Sequence, residues 1–124
     1  AIFFNQGEMC TAASRLIVEE SVRDRVLEKV VEASRVMQPG DPLDPATRMG
    51  AIVDEIQTKS VLGYIASGRS EGAAVLAGGQ RVRGQTGGCY IEPTVFANVT
   101  TGMRIDASAR VTVTGKFTFE CPAI

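Results

Sequence analysis

The sequence predicts an α/β fold: a layered, mostly parallel sheet with flanking helices. Short apolar runs fit for buried strands alternate with stretches whose apolar residues recur at helical spacing. The joints between them are rich in glycine and proline. Strands that alternate with helices in this way pack as layers around a largely parallel sheet. With 124 residues, 44% of them hydrophobic, the chain has enough apolar content for one small core.

Residues 15–19 contain Leu16-Ile17-Val18, a run suited to a buried strand. Ser21 with Asp24 three positions later resembles a capping box and predicts a helix start. Val22, Val26, Leu27, Val30, Val31 and Met37 then give that helix an apolar face, while Arg23, Asp24, Glu28, Lys29 and Glu32 mostly face water. Pro39-Gly40 ends the helix, and the proline-rich stretch to Thr47 reads as an extended loop. A second helix is expected after Asp54, with Ile56, Leu62 and Ile65 inward and fraying at residues 68–72. Residues 73–77 form a short strand ended by Gly78-Gly79, and residues 84–88 form a glycine-rich turn. Residues 89–95 are expected as one further strand, placed near a sheet edge by Pro93.

Composition excludes several function classes. Acidic and basic residues are interspersed and the formal charge is −1, so there is no electrostatic footprint for nucleic acid or an anionic membrane. No apolar run reaches membrane-spanning length and no secretory leader opens the chain, so a cytoplasmic setting is expected. The three cysteines, Cys10, Cys89 and Cys121, are widely spaced and odd in number, which indicates neither a disulfide framework nor a metal site. With no histidine, imidazole bases and imidazole-ligated zinc are absent from this chain. The acidic residues Glu19, Glu20, Asp24 and Glu28 read as a solvated surface rather than a cation site. Gly78, Gly79, Gly84, Gly87 and Gly88 match neither a P-loop nor a dinucleotide fingerprint, and a surface hairpin is expected there.

The chemistry-bearing stretch is the first fifteen residues. Gly7 permits a sharp turn, Cys10 follows it, and Thr11-Ala12-Ala13 leave room for a substrate to approach the sulfur. A lone cysteine among small residues is most often a small buried hydrophobe. Here the surrounding pattern shifts the balance. Phe3, Asn5, Gly7, Cys10, Ala12 and Arg15 reproduce the spacing F-x-N-x-G-x-x-C-x-A-x-x-R, and the segment thereby resembles the active-site cysteine motif of the aldehyde dehydrogenase superfamily. The resemblance continues through Pro39-Gly40-Asp41-Pro42, Met49-Gly50, Ile91-Glu92-Pro93-Thr94-Val95-Phe96 and Gly102-Met103-Arg104-Ile105. It implies a partial aldehyde dehydrogenase catalytic domain over residues 1–105. The chain opens on the motif without an initiator Met, so a fragment truncated at both ends is expected.

The resemblance implies covalent catalysis. Cys10 would attack an aldehyde carbonyl, the Cys10 backbone N–H and a side-chain amide would hold the oxyanion, and hydride would pass to NAD or NADP. Phe4, Met9 and Thr11 would line the aldehyde pocket, or serve only as ordinary packing. Gln57 matches a position that touches the cofactor ribose, although the lysine often found three residues later is Ser60 here. In the family the amide, the glutamate base and the cofactor domain precede the cysteine motif, so this chain alone is expected to be inactive. Implied partners are a small aldehyde, with amino-aldehydes such as betaine aldehyde favoured, and further copies of the chain in a homo-oligomer. No metal, nucleic acid or membrane partner is expected. The alternatives are a non-catalytic binding or self-associating module and a thiol esterase acting through Cys10.

After Ile105 the family's E-E-x-F-G-P-V segment gives way to Asp106-Ala107-Ser108-Ala109-Arg110. Residues 106–124 are therefore expected as a divergent tail. Its β-branched alternation at Val111, Thr112, Val113 and Thr114 would suit a hairpin turning at Gly115-Lys116.

Overall fold

The computed structural model describes residues 2–99 and, for the backbone alone, 110–114. Three layers are built on a four-stranded sheet. Strands β1 (Arg15–Ile17), β2 (Ala74–Ala77), β5 (Thr94–Ala97) and β6 (Arg110–Thr114) lie in the order β1-β6-β5-β2. The pairings of β6 with β1 and with β5 are parallel, and β2 joins β5 antiparallel, so the expected mostly parallel sheet is present. A separate antiparallel ribbon pairs β3 (Arg81–Val82) with β4 (Tyr90–Ile91) around the glycine-rich turn. This is the surface hairpin that the glycine spacing predicts.

The alternation of β5 divides the core. Val95 and Ala97 pack on one face with Ile2, Phe3, Val18, Leu27 and Met49. Phe96 packs on the other with Ile52, Val61, Ile65, Ala73, Ile91 and Val99. All four residues of β5 are buried, as a central strand covered on both faces requires. Helix α1 (Arg23–Val36) covers the first face through Leu27, with Val26, Val30, Val31 and Met37 against its margin. Helix α2 (Glu55–Ser70) covers the second.

Several expectations are corrected. A 3-10 turn, Glu20–Val22, precedes α1, and Ser21 Oγ donates to Glu19 Oε1 at 2.5 Å instead of capping the helix. Val22 stays exposed. In α2 the inward stripe is Thr58, Val61, Ile65 and Gly68, with Leu62 at its edge, whereas Ile56 is 79% exposed. The Asp54 cap fixes this phase: its side chain accepts from the Gln57 N–H at 2.7 Å, and two positions before Thr58 lies the outer face. The helix ends at Ser70, within the expected 68–72 stretch, and Gly68 itself is packed, since a methyl group there would stand 3.1 Å from Phe96 Cε1 and Cζ. The strand expected over residues 89–95 is two strands in different sheets, split at Glu92-Pro93. Pro93 precedes a central strand, where its missing N–H falls outside the ladder, so it marks a joint and not an edge. Residues 110–114, expected as the first arm of a hairpin, form β6 between two parallel neighbours. Gly115-Lys116 and Cys121 lie outside the described residues.

Candidate active site

Cys10 sits at the tip of a turn leading into β1. Met9 O accepts from the Ala12 N–H at 2.9 Å, which places Cys10 and Thr11 at the two central positions of the turn, and both are exposed. The Cys10 N–H makes no hydrogen bond to another described residue. The thiol is free. An exposed thiol beside a backbone N–H that has no partner among the described residues is a suitable arrangement for attack on a carbonyl and for receiving the negative oxygen that results.

The approach to this turn is left-handed. Asn5, Gln6 and Gly7 have φ of 48°, 57° and 79°, a conformation that is easy for glycine but uncommon for the two residues before it. Glu8 closes the turn, its N–H donating to Asn5 O at 2.9 Å. Ile2 and Phe3 anchor the segment in the core, after which Phe4 turns outward.

A strap formed by residues 50–53 runs past this arm. Gln6 Nε2 donates to Ala51 O at 2.9 Å, and the Val53 N–H donates to Glu8 Oε1 at 3.2 Å. Between these contacts the Ile52 N–H donates to Cys89 O at 2.7 Å, so the strap links the cysteine arm to the β3–β4 ribbon. A loop with aspartate-centred turns at Asp41 and Asp44 returns the chain to the strap, and the Gly40 N–H donates to Met49 O at 3.0 Å. Asp54 then caps α2 directly after the strap.

The structure brings Phe4, Met9, Cys10 and Thr11 onto one exposed segment. Phe4 and Met9 are large apolar side chains left 63% and 41% exposed. Gln57 is not on that segment. It lies half-buried on the first turn of α2, joined to the cysteine arm through Asp54, the strap and Glu8. Gln6 and Glu8 occupy variable positions of the motif, which therefore does not point to them. They are two long polar side chains flanking Gly7, and their partners lie 45 residues away, beyond the reach of any local pattern.

No step through a dinucleotide follows from these residues. The glycines at 84–88 belong to the β3–β4 ribbon, where Gly84–Thr86 make only a three-residue 3-10 turn and open no α-helix, and the Gly78-Gly79 pair connects β2 to β3. A shallow depression along α1, lined by Val22, Val26, Lys29, Val30 and Ala33, includes no residue of the cysteine motif. No group of His, Cys, Asp or Glu suited to a metal occurs among the described residues, and none of their helices is long and apolar enough to cross a membrane. Glu19, Glu20, Asp24 and Glu28 are exposed.

The model of the aldehyde dehydrogenase family matches residues 1–108. The chain is 44% identical over 103 residues to aldehyde dehydrogenase family 2 member C4 of Arabidopsis thaliana, covering 83% of this chain and 20% of that protein. It is 40% identical over 105 residues to a betaine aldehyde dehydrogenase of Mesorhizobium japonicum, covering 83% and 22%. Among solved structures, the indole-3-acetaldehyde dehydrogenase AldA of P. syringae, a mutant in complex with NAD+ and IAA, superposes with a TM-score of 0.89 at 47% identity, covering 94% of this chain and 24% of that one. The gamma-glutamyl-gamma-aminobutyraldehyde dehydrogenase of Burkholderia cenocepacia gives 0.88 at 45% identity, covering 95% and 24%. The chain spans about a fifth of the length of the curated relatives it matches.

Proposed function

Because the chain belongs to the aldehyde dehydrogenase family, we propose that the protein carrying it oxidises an aldehyde to a carboxylic acid with NAD or NADP, using Cys10 as nucleophile. The observation that carries this is the position of Cys10: an exposed free thiol at the tip of a turn, inside the matched region. The thiol first loses its proton to water or a base. The thiolate then forms a C–S bond to the carbonyl carbon, and the carbonyl π pair moves to oxygen, giving the thiohemiacetal anion. The Cys10 N–H stands next to the sulfur as one donor for that oxygen. When bound, the nicotinamide supplies a hydride acceptor.

Phe4, Met9 and Thr11 are the side chains we assign to the aldehyde pocket, with Phe4 and Met9 giving it an apolar wall. Gln57 is retained as a cofactor contact on its family position alone. An amino-aldehyde is the proposed substrate class, a reading supported by relatives named for betaine aldehyde and for aminoaldehydes. The proposed assembly is a homo-oligomer and the proposed setting the cytoplasm, where thiols such as Cys10 and Cys89 stay reduced.

The test is NAD(P)H formation by the whole protein with betaine aldehyde and related amino-aldehydes. Cys10→Ala is expected to abolish turnover while leaving the protein folded. Turnover that survives the substitution would remove Cys10 from the mechanism. A second reading, a non-catalytic self-associating module, is favoured by the exposure of Phe4, Ile17, Leu76 and Met9. A folded oligomer of the 124-residue chain, silent with every aldehyde and activated ester, would support it.

A further inference from the structure

The cysteine arm runs through three consecutive left-handed residues, a conformation that Asn5 and Gly7 tolerate and Gln6 disfavours. Asn5 and Gln6 have consecutive positive φ values, and strain of this kind persists only where surrounding contacts hold it. Two such contacts exist, one on each side of Gly7. Gln6 reaches Ala51 O with its side-chain amide, and Glu8 accepts the Val53 N–H with its carboxylate. The two interactions have opposite polarity, a donor on Gln6 and an acceptor on Glu8, matching a carbonyl and an amide two residues apart on the strap. The fit at Gly50 is close: a methyl group there would stand 3.1 Å from Gln6 Nε2.

We infer that Gln6 and Glu8 are positioning residues, which dock the left-handed arm on residues 51–53 and so fix where the Met9–Ala12 turn presents the Cys10 thiol. Neither side chain is hydrogen-bonded to the thiol. They act through the backbone, four and two residues before the nucleophile. The strap is itself pinned by the Ile52 N–H to Cys89 O and continues into the Asp54 cap of α2, so the docking surface is anchored at its middle and at its far end. The functional part of this inference rests on Cys10 as nucleophile. Its structural part does not.

Hydrogen exchange at the Ala12 amide, whose N–H closes the turn on Met9 O, is therefore the readout, with the β5 amides as internal reference. It is measured on the full 124-residue chain. Glu8→Ala and Gln6→Glu each remove one docking bond, and each is expected to speed Ala12 exchange about three- to tenfold, the range for one lost hydrogen bond. The β5 amides should not change. Glu8→Gln keeps an acceptor oxygen and should restore exchange to that of the unsubstituted chain. Unchanged Ala12 exchange in both Glu8→Ala and Gln6→Glu would overturn the proposal, as would failure of Glu8→Gln to rescue. Acceleration that includes β5 equally would also overturn it, because it would mark general loosening of the fold. None of these outcomes depends on turnover. If aldehyde oxidation instead survives Cys10→Ala, it is the proposed function that fails.

Discussion

Arg81 Nη1 donates to Glu55 Oε1 at 2.9 Å, clamping the first residue of α2 to the β3–β4 ribbon. The other carboxylate oxygen, Oε2, accepts from the Cys89 thiol at 3.6 Å, and Arg81 Nη2 donates in turn to Gly88 O. The hydrogen bond from Arg81 holds the Glu55 carboxyl below its ordinary value of 4.5, with partial desolvation opposing it. A carboxylate whose folded pKa is depressed contributes stability above its unfolded pKa and loses it as pH falls through the folded one. The difference in urea midpoint between the unsubstituted chain and Arg81→Gln should therefore be full at neutral pH and shrink as pH drops below about 4.5. Glu32 is lowered by Lys29 in both proteins and cancels in that difference. A difference independent of pH would refute the ionic account of this clamp.

The inward phase of α2 is tested by two isoleucines. Ile91 is 2% exposed in the core beneath the helix, and Ile91→Ala should cost about 2–5 kcal/mol for the lost transfer energy and the cavity left behind. Ile56→Ala, on the outer face of α2, should change stability by no more than about 0.5 kcal/mol. Denaturant unfolding of both variants checks the pair, and comparable losses would place Ile56 in the core.

Asp54→Ala removes the side chain that accepts the Gln57 N–H at 2.7 Å. The expected loss is about 1 kcal/mol, as for other helix N-caps. Asp54→Ser should recover most of it, since a hydroxyl oxygen can accept the same bond. Thermal unfolding by circular dichroism reads both values, and a neutral Asp54→Ala would show that α2 starts without its cap.

Gly78 has φ of +66°, and a methyl group added there would lie 2.2 Å from the carbonyl oxygen of Pro93. Left-handed strain and overpacking together set the expected cost of Gly78→Ala at roughly 2–4 kcal/mol. The close approach is between two backbone segments, so rearranging a side chain cannot relieve it. Gly84, with open space around it and no positive φ, is the control: Gly84→Ala should be close to neutral in the same unfolding assay.

Much of this molecule is legible in its sequence, and the gaps have physical causes. The apolar spacing locates α1, and the capping aspartate locates α2, because both signals are local. The phase of α2 is hidden since two of its inward positions, Thr58 and Gly68, are polar or small and are selected by close packing on the sheet rather than by hydrophobicity. Pro93 is misleading alone because a proline before a central strand looks like a proline in an edge strand until the pairing partners are known. The motif around Cys10 identifies the candidate nucleophile directly. Its supports, Gln6 and Glu8, are joined to residues 45 positions away, and no local pattern encodes that contact.

Strand β6 also sets an order of events. β1 carries the chain directly out of the cysteine turn, yet its partner within the sheet is β6, from Arg15 beside Thr112 to Ile17 beside Thr114. During synthesis β1 leaves the ribosome well before β6, and its β6-facing edge stays unfilled until residues 110–114 follow. Leu16 and Ile17 are exposed among the described residues even with β6 in place, so this waiting strand is an apolar, unpaired edge. Translation stalled before residue 110 would leave a nascent chain whose prospective nucleophile adjoins an unpaired apolar edge, and the passage of those five residues ends that exposure on the β6 side.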